Sequence, residues 1–239
     1  HGTICGGVII SNTCVEHEII SIKVKRTDQN GNIEKLCAAL KFCLKNNIDV
    51  VNISLGTRNT DDAKILYNIV LKMEKKNIIV VSAMDNNPME RAFPACFDNV
   101  IGVKHSMKAY KGIYWVDNNT VSANGIQTIE LATAELYTTY ACNSYATPYV
   151  TSQVANLISA NQDRAFKTIM DRRQQFKYIM RKISNGIVGV WWEGGENEKM
   201  KKLVKKPKKN TVIAFSCTCH TCSGCSKWGT SGGAATSTG

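Results

Sequence analysis

No apolar run in this sequence approaches the roughly 20 residues that a membrane-spanning helix needs, so we expect a soluble protein without a membrane partner. No acidic loop stands out as a calcium site, and no cofactor is predicted. Six cysteines in the first part of the chain show no disulfide-framework spacing, which favours a reducing, cytoplasmic compartment over secretion. We expect most of them to be small buried hydrophobes: they are Cys5, Cys14, Cys37, Cys43, Cys96 and Cys142.

Positive charge is in excess, with 30 lysines and arginines against 19 acidic residues and a net charge of +11. Much of the excess lies in one run, formed by Lys199, Lys201, Lys202, Lys205, Lys206, Lys208 and Lys209. A local lysine run is more typical of a solvated linker than of a nucleic-acid-binding face. Nucleic acid is therefore not expected as a partner. Residue 1 is His rather than Met, so we expect a piece of a longer polypeptide.

Strand-like and helix-like segments alternate over the first two thirds of the chain. Apolar and β-branched runs predict strands at 19–24, 48–55, 77–83, 99–103 and 128–132. Helical spacing predicts helices at 33–44, after the cap residues 59–62, at 144–160 and at 166–183. This alternation indicates an α/β fold with a mainly parallel sheet flanked by helices.

The composition changes after Gly186, and this divides the chain into three parts. Residues 1–185 are predicted to form the α/β domain, and residues 186–213 a lysine-rich linker. Residues 214–239 are rich in Cys, Ser, Thr and Gly. Such a composition cannot bury a core, so we predict a disordered C-terminal tail.

Three separated segments carry candidate chemistry. His1 opens a predicted helix whose glycines allow close packing, and Asn86 follows a buried strand, where its amide can face an oxyanion. Ser144 starts another helix, whose N–H groups and dipole favour an anion. Pro148 is expected in the first turn of that helix, where the missing N–H costs nothing. Taken alone, each segment also fits an ordinary turn or helix cap.

Taken together, these segments resemble the subtilisin-like serine peptidases. Residues 1–3 (His-Gly-Thr) are similar to the family's His motif, and residues 143–148 (Asn-Ser-Tyr-Ala-Thr-Pro) to its Thr-Ser-Met-Ala-Ser/Thr-Pro motif. Residues 51–56 resemble its Ser-Leu-Gly substrate strand, and residues 93–103 its Tyr-Pro-Ala…Val-Ile-x-Val segment. The matches follow the family order over about residues 1 to 160.

The resemblance implies catalytic roles for three residues. Ser144 would attack a peptide carbonyl, His1 would accept and return the proton, and Asn86 would bind the oxyanion. A peptide or protein substrate is then expected to pair, as an added strand, with a short segment of the chain. That segment consists of Ser54, Leu55 and Gly56. No metal ligand is implied.

This chain departs from the family pattern in several places. The family's triad Asp precedes its His, and no residue here matches it. We therefore expect the sheet to lack its first strands and to have an open edge, and the polypeptide alone to be a poor peptidase. Asp85 stands where the family has Gly, beside the oxyanion residue, and Cys142-Asn143 replace its Gly-Thr. These departures keep open a catalytically degenerate, peptide-binding pseudopeptidase.

The cysteine-rich segment 217–225 admits three interpretations. Its four cysteines and His220 lie within nine residues, a strained spacing for tetrahedral zinc, and the haem-attachment pattern Cys-x-x-Cys-His is missing. Cys, Ser and Thr interleaved with Gly resemble the core of a ribosomally made, modified peptide, whose pathways also use subtilisin-like peptidases. The chain is then either a peptidase that matures such a peptide or a precursor with a peptidase-like leader. An ordinary flexible tail is the remaining interpretation.

Overall fold

The computed structural model describes residues 1–24, 33–109, 112–130, 134–160, 183 and 210–216. The α-helices in these residues are α1 (Gly2–Asn12), α2 (Ile33–Lys45), α3 (Thr60–Lys75) and α4 (Asn143–Ala160). The strands are β1 (His17–Lys23), β2 (Val50–Ile53), β3 (Ile79–Ala83), β4 (Ile101–His105), β5 (Ile113–Trp115), β6 (Thr120–Ala123), β7 (Thr128–Glu130), β8 (Leu136–Thr138) and β9 (Asn210–Ser216).

One seven-stranded sheet runs through the molecule in the order β1-β9-β2-β3-β4-β6-β5. Neighbouring strands are parallel except for β5 and β6 at one edge. The strand predicted at 128–132 lies outside this sheet, because β7 pairs with β8 in a separate antiparallel ribbon. The predicted α/β fold with a mainly parallel sheet flanked by helices is confirmed. The short strands β5, β6 and β8 were not predicted.

The two faces of the sheet are covered by different helices. Val51 and Val80 belong to an apolar cluster that includes residues of α2 and α3, whereas Val50 and Val81 belong to a second cluster that includes residues of α4. Successive side chains of a strand point to opposite faces, so each central strand contributes to both clusters. All four residues of β2 are buried, as the continuous apolar run predicted.

The start of α3 shows how local sequence sets an element. The Asn59 side chain accepts hydrogen bonds from the backbone N–H groups of Asp61 and Asp62, at 2.8 and 3.4 Å. Both carboxylates lie in the first turn, where the positive end of the helix dipole favours them. The predicted cap at residues 59–62 is confirmed.

The strand β9 was not anticipated, because its residues fall in the predicted linker and tail. The predicted boundary between residues 213 and 214 lies inside this strand. β9 occupies an interior position between β1 and β2, and among the described strands β1 and β5 form the two edges of the sheet. The helix predicted at 166–183 lies outside the described residues, apart from Ile183, which is helical and buried. The lysine run and residues 217–239 also lie outside them.

The cysteines in the described residues are mostly in apolar surroundings. Cys5, Cys37, Cys43 and Cys142 are buried, as predicted, whereas Cys96 is half-buried and Cys14 is exposed. No helix in the described ranges is both long and apolar enough to span a bilayer.

Candidate active site

Ser144 is the second residue of α4, and it is buried. The prediction that Pro148 lies in the first turn was wrong, because α4 begins at Asn143 and Pro148 follows in the second turn. A helical proline removes the N–H that would bond the carbonyl four residues earlier, which is the carbonyl of Ser144. The Ser54 hydroxyl donates to that oxygen at 2.9 Å instead, and the Cys5 thiol lies 3.7 Å from it.

A buried chain of polar side chains continues from this carbonyl back into α4. The Thr151 hydroxyl donates to Asn52 Oδ1 at 2.8 Å, and Asn52 Nδ2 donates to Ser54 Oγ at 3.1 Å. Ser54 then donates to the Ser144 carbonyl. Since all of these side chains are buried, each group satisfies a partner that water cannot reach. This series of hydrogen bonds fixes the start of α4 to the carboxyl end of β2.

Asn86 lies in the exposed turn after β3, next to the residue that precedes Ser144. The backbone N–H of Asn143 donates to Asn86 Oδ1 at 3.0 Å. The Asn143 side chain anchors the same turn, because its Nδ2 donates to the carbonyls of Met84 and Asp85 at 3.0 and 2.8 Å. Its Oδ1 accepts the backbone N–H of His105 at 2.6 Å. Asn143 therefore ties the β3 turn, the end of β4 and the start of α4 together.

His1 is the N-cap residue of α1, as predicted, and its ring lies 5.2 Å from that of Tyr145 between centroids. Its Nδ1 is 3.9 Å from Cys5 Sγ. Burial raises the pKa of the Cys5 thiol to about 12, so this neighbour is neutral. The buried Nε2 of His1 has no hydrogen-bond partner among the described residues. The serine–histidine hydrogen bond implied by the resemblance is therefore not formed in this conformation.

The charge of Asp85 is paired. Arg58 binds this carboxylate through Nε at 2.8 Å and through Nη2 at 2.9 Å. This hydrogen bonding with Arg58 lowers the pKa of Asp85 below 3.8, so the carboxylate is ionised at neutral pH. The guanidinium offsets the negative charge that the sequence places beside Asn86. The sequence offered no signal for this pair, since its members are 27 positions apart.

The segment predicted to bind substrate follows β2 directly. Ser54 is buried and its hydroxyl is directed to Ser144, whereas Leu55 is half-buried and Gly56 is exposed. Thr57 and Phe93 exchange two backbone hydrogen bonds, at 3.0 and 2.8 Å. A Cβ at Gly56 would lie 3.1 Å from the Phe93 carbonyl oxygen. The segment is thus held at both ends.

His105 is a further polar group near this site that the sequence analysis did not identify. Its Nδ1 accepts the backbone N–H of Gly125 at 2.9 Å. Burial lowers its pKa below 6.5, so the imidazole is neutral at neutral pH. The sequence analysis also missed Asn52 and Thr151, whose hydrogen bonds lead to Ser54. A helical proline after Ser144 does indicate that the Ser144 carbonyl requires a replacement donor. The sequence could not show which side chain supplies it.

A mainly parallel sheet with His1, Asn86 and Ser144 on the segments described above has the architecture of a subtilisin-like serine peptidase. The family model described as the subtilase family matches residues 1–191. The chain therefore belongs to the subtilase family, which is a family of serine peptidases.

Comparisons with individual proteins agree with this assignment. The chain is 27% identical over 195 residues to the minor extracellular protease Epr of Bacillus subtilis, covering 75% of this chain and 29% of that protein. It is 26% identical over 175 residues to subtilisin DY of Bacillus licheniformis, covering 66% of this chain and 63% of that protein. The chain thus spans less than two thirds of the length of each of these relatives.

Solved structures show the same fold. The prenylagaramide maturation protease PagA superposes with a TM-score of 0.52 at 19% identity, covering 64% of this chain and 59% of that chain. A psychrophilic protease, S41, gives a TM-score of 0.50 at 14% identity, covering 68% and 58%.

Proposed function

We propose that this chain is part of a subtilisin-type serine endopeptidase, in which Ser144 is the nucleophile. The Ser144 hydroxyl attacks a peptide carbonyl, and His1 accepts its proton and returns it to the leaving amine. The Asn86 amide and the Ser144 backbone N–H bind the oxyanion. Water then hydrolyses the acyl-enzyme. The substrate backbone pairs with residues 54–56 as an added strand.

The observation that carries this proposal is the hydrogen bond from the Asn143 N–H to Asn86 Oδ1. It holds the carboxamide of one segment against the residue before Ser144, although the two are 57 positions apart. Ser144 also lies in the first turn of α4, whose dipole favours a developing negative charge. His1 Nε2 is buried without a partner among the described residues. The His1 ring lies 5.2 Å between centroids from that of Tyr145, the residue after Ser144.

Turnover by this polypeptide is expected to be low. In the described residues, His1 Nδ1 lies 3.9 Å from the Cys5 thiol, which is neutral. A thiol cannot stabilise the imidazolium as a carboxylate does. The peptidase is therefore expected to acylate slowly.

A fluorophosphonate probe tests this function, because only an activated serine reacts with it. We expect slow labelling that maps to Ser144 and is absent in Ser144→Ala. The matched control is Ser152→Ala, which removes a hydroxyl from the same helix that donates to the Tyr149 carbonyl and should label normally. Asn86→Ala should label about 10²–10³ times more slowly, a magnitude for one oxyanion donor that was itself obtained on a subtilisin. Equal labelling of all variants would exclude Ser144 as the nucleophile.

The unbonded His1 Nε2 favours a second candidate, a peptide-binding pseudopeptidase. In that case residues 54–56 bind an extended peptide and no acyl-enzyme forms. Isothermal calorimetry separates the two: peptide binding without probe labelling supports the pseudopeptidase, and labelling supports the peptidase.

We further propose that the peptide substrate is ribosomally made and is matured by the enzyme. The maturation activity named for PagA and the cysteine-rich composition of residues 217–225 motivate this role. The alternative is a modified-peptide precursor in which the peptidase-like part acts as leader. Mass spectrometry of the chain from its native host tests it, since unmodified cysteines would exclude a precursor. We expect no cofactor requirement and a reducing, cytoplasmic setting.

A further inference from the structure

A second feature, separate from the candidate active site, is the position in the sheet between β1 and β2. These two strands follow each other along the chain with α2 between them, yet they do not pair with each other. β9 lies between them and pairs in parallel with both. All seven residues of β9 are in register with β1, from Asn210 opposite His17 to Ser216 opposite Lys23. Among the described residues, β1 has no other strand partner.

The walls of this position are apolar on both faces of the sheet. On the β1 side, Ile19 and Ile20 pack against different apolar clusters. On the β2 side, Val50 and Val51 are fully buried and divide between the same two clusters. Helices α1 and α4 also contact β9. A strand here must therefore be apolar on both faces, and residues 211–215 read Thr-Val-Ile-Ala-Phe.

Without an occupant, facing backbone groups of β1 and β2 would be left unpaired inside the sheet. Buried N–H and C=O groups are almost always paired in folded proteins. The position therefore requires a strand, although nothing in the run from β1 to α4 supplies one in the described residues. Residues 161–209 separate α4 from β9. Since the entropy of closing a loop grows only slowly with its length, a distant segment can still fill the position.

We propose that the β1–β2 position is a strand-acceptor site for a seven-residue segment with an apolar centre that enters parallel to both neighbours. Its resident occupant is Asn210–Ser216 of the same chain, and the site binds this segment also when it is supplied as a separate peptide. Binding couples the C-terminal part of the chain to the candidate active site. Phe215 is in register with Ile53 of β2. Ser54 follows Ile53 in the chain, and its hydroxyl donates the hydrogen bond to the Ser144 carbonyl. The proposal does not depend on the reactivity of Ser144.

Hydrogen exchange on the full chain tests the site. Ile213→Pro removes a strand N–H from the middle of β9, so the amides of β1 should exchange at least about tenfold faster than in the unmodified chain. Ile213→Val, which keeps both the N–H and a β-branched side chain, is the matched control and should behave as the unmodified chain. A synthetic peptide Asn210–Ser216 should restore slow exchange to Ile213→Pro, and a scrambled peptide should not. Unchanged β1 exchange in Ile213→Pro, or no restoration by the peptide, overturns the proposal.

A second measurement covers the case in which Ile213→Pro does not fold. A specific protease site is introduced within residues 201–206, and the folded chain is cleaved there. We expect the C-terminal fragment to co-elute with the rest on size exclusion, and an excess of labelled peptide Asn210–Ser216 to replace it. A fragment that separates at once, or that the peptide never replaces, overturns the proposal.

Discussion

The Ser54 hydroxyl donates a 2.9 Å hydrogen bond to the Ser144 carbonyl, the one carbonyl of α4 whose helical donor is removed by Pro148. The other neighbour of this oxygen, the Cys5 thiol at 3.7 Å, is a weak donor. Among the described residues, one strong hydrogen bond therefore anchors the backbone of the proposed nucleophile to the residue that follows β2. Any change in β2 at this point should be transmitted to Ser144.

Replacing Ser54 tests this anchor. We expect Ser54→Ala to lower the free energy of unfolding by about 1–3 kcal/mol, because a buried carbonyl loses its main partner. The control is Ser82→Ala on β3, where Ser82 is in register with Ile53 and its buried hydroxyl has no partner among the described residues. That variant should be neutral or slightly more stable. Urea unfolding measures both, and equal losses would contradict the anchor.

Pro148→Ala provides an independent check, because it restores the missing N–H. In the Ser54→Ala background this substitution should recover part of the lost stability, whereas in the unmodified chain the carbonyl already has a donor. A double-mutant cycle on the free energy of unfolding should therefore give a non-zero coupling between positions 54 and 148. Strict additivity would show that the Ser144 carbonyl does not link them.

The same chain of hydrogen bonds predicts a role for Thr151. Thr151→Val keeps the shape but leaves Asn52 Oδ1 without the hydroxyl that bonds it at 2.8 Å, so we expect a loss of about 1–3 kcal/mol. Thr151→Ser keeps the hydroxyl and should lose less, about 1 kcal/mol for the missing methyl. Chemical denaturation ranks the variants; a serine variant that is less stable than the valine variant would exclude the hydrogen bond as the cause.

The burial of His105 should make the stability of the protein depend on pH. The pKa of His105 in the folded protein lies below the ordinary value of 6.5 because of burial. The unfolded chain therefore binds the proton more readily, and stability that is fully present above pH 6.5 is lost as the pH falls through the folded pKa. His105→Asn keeps an acceptor for the Gly125 N–H without titrating in this range, so thermal melting from pH 7.5 to 5 should show a smaller fall.

A second histidine provides the control for this experiment. His17 lies on β1, where its Nδ1 is 2.8 Å from the Val15 carbonyl oxygen. His17→Asn should retain the fall in stability that is attributed to His105. If His105→Asn and the unmodified chain show the same pH slope, the neutral imidazole is not its source.

Two adjacent glycines of α1 should respond in opposite directions to alanine. A Cβ at Gly6 meets no atom within 4 Å, whereas one at Gly7 would lie 2.7 Å from Ile129 Cδ1. Gly6→Ala should stabilise by about 0.5–1 kcal/mol, because alanine loses less backbone entropy in a helix. Gly7→Ala must displace a buried side chain of β7 and should destabilise the protein. Melting temperatures that move in the same direction would contradict this close approach.

Local patterns predicted the central strands and the helices, whereas the roles of His1, Asn86 and Ser144 stay predictions. The capping residues 59–62 and the apolar run 48–55 each act over a few positions, so their structural consequences are readable from the sequence. The placement of Pro148 was wrong because the exact first residue of α4 depends on contacts of Asn143 with other segments. The Arg58–Asp85 pair was missed for the same reason, since no local pattern specifies a partner 27 positions away.

The sequence alone determined the alternation of strands and helices and the family resemblance, and it proposed His1, Asn86 and Ser144 as candidate site residues, because periodicity and short motifs are local properties. The tertiary structure decided what those residues contact: Cys5 beside the imidazole, Asn143 against the carboxamide and Ser54 at the Ser144 carbonyl. It also decided that β9 enters the interior of the sheet. These outcomes depend on strand register and on packing between distant segments, which neighbouring residues do not specify.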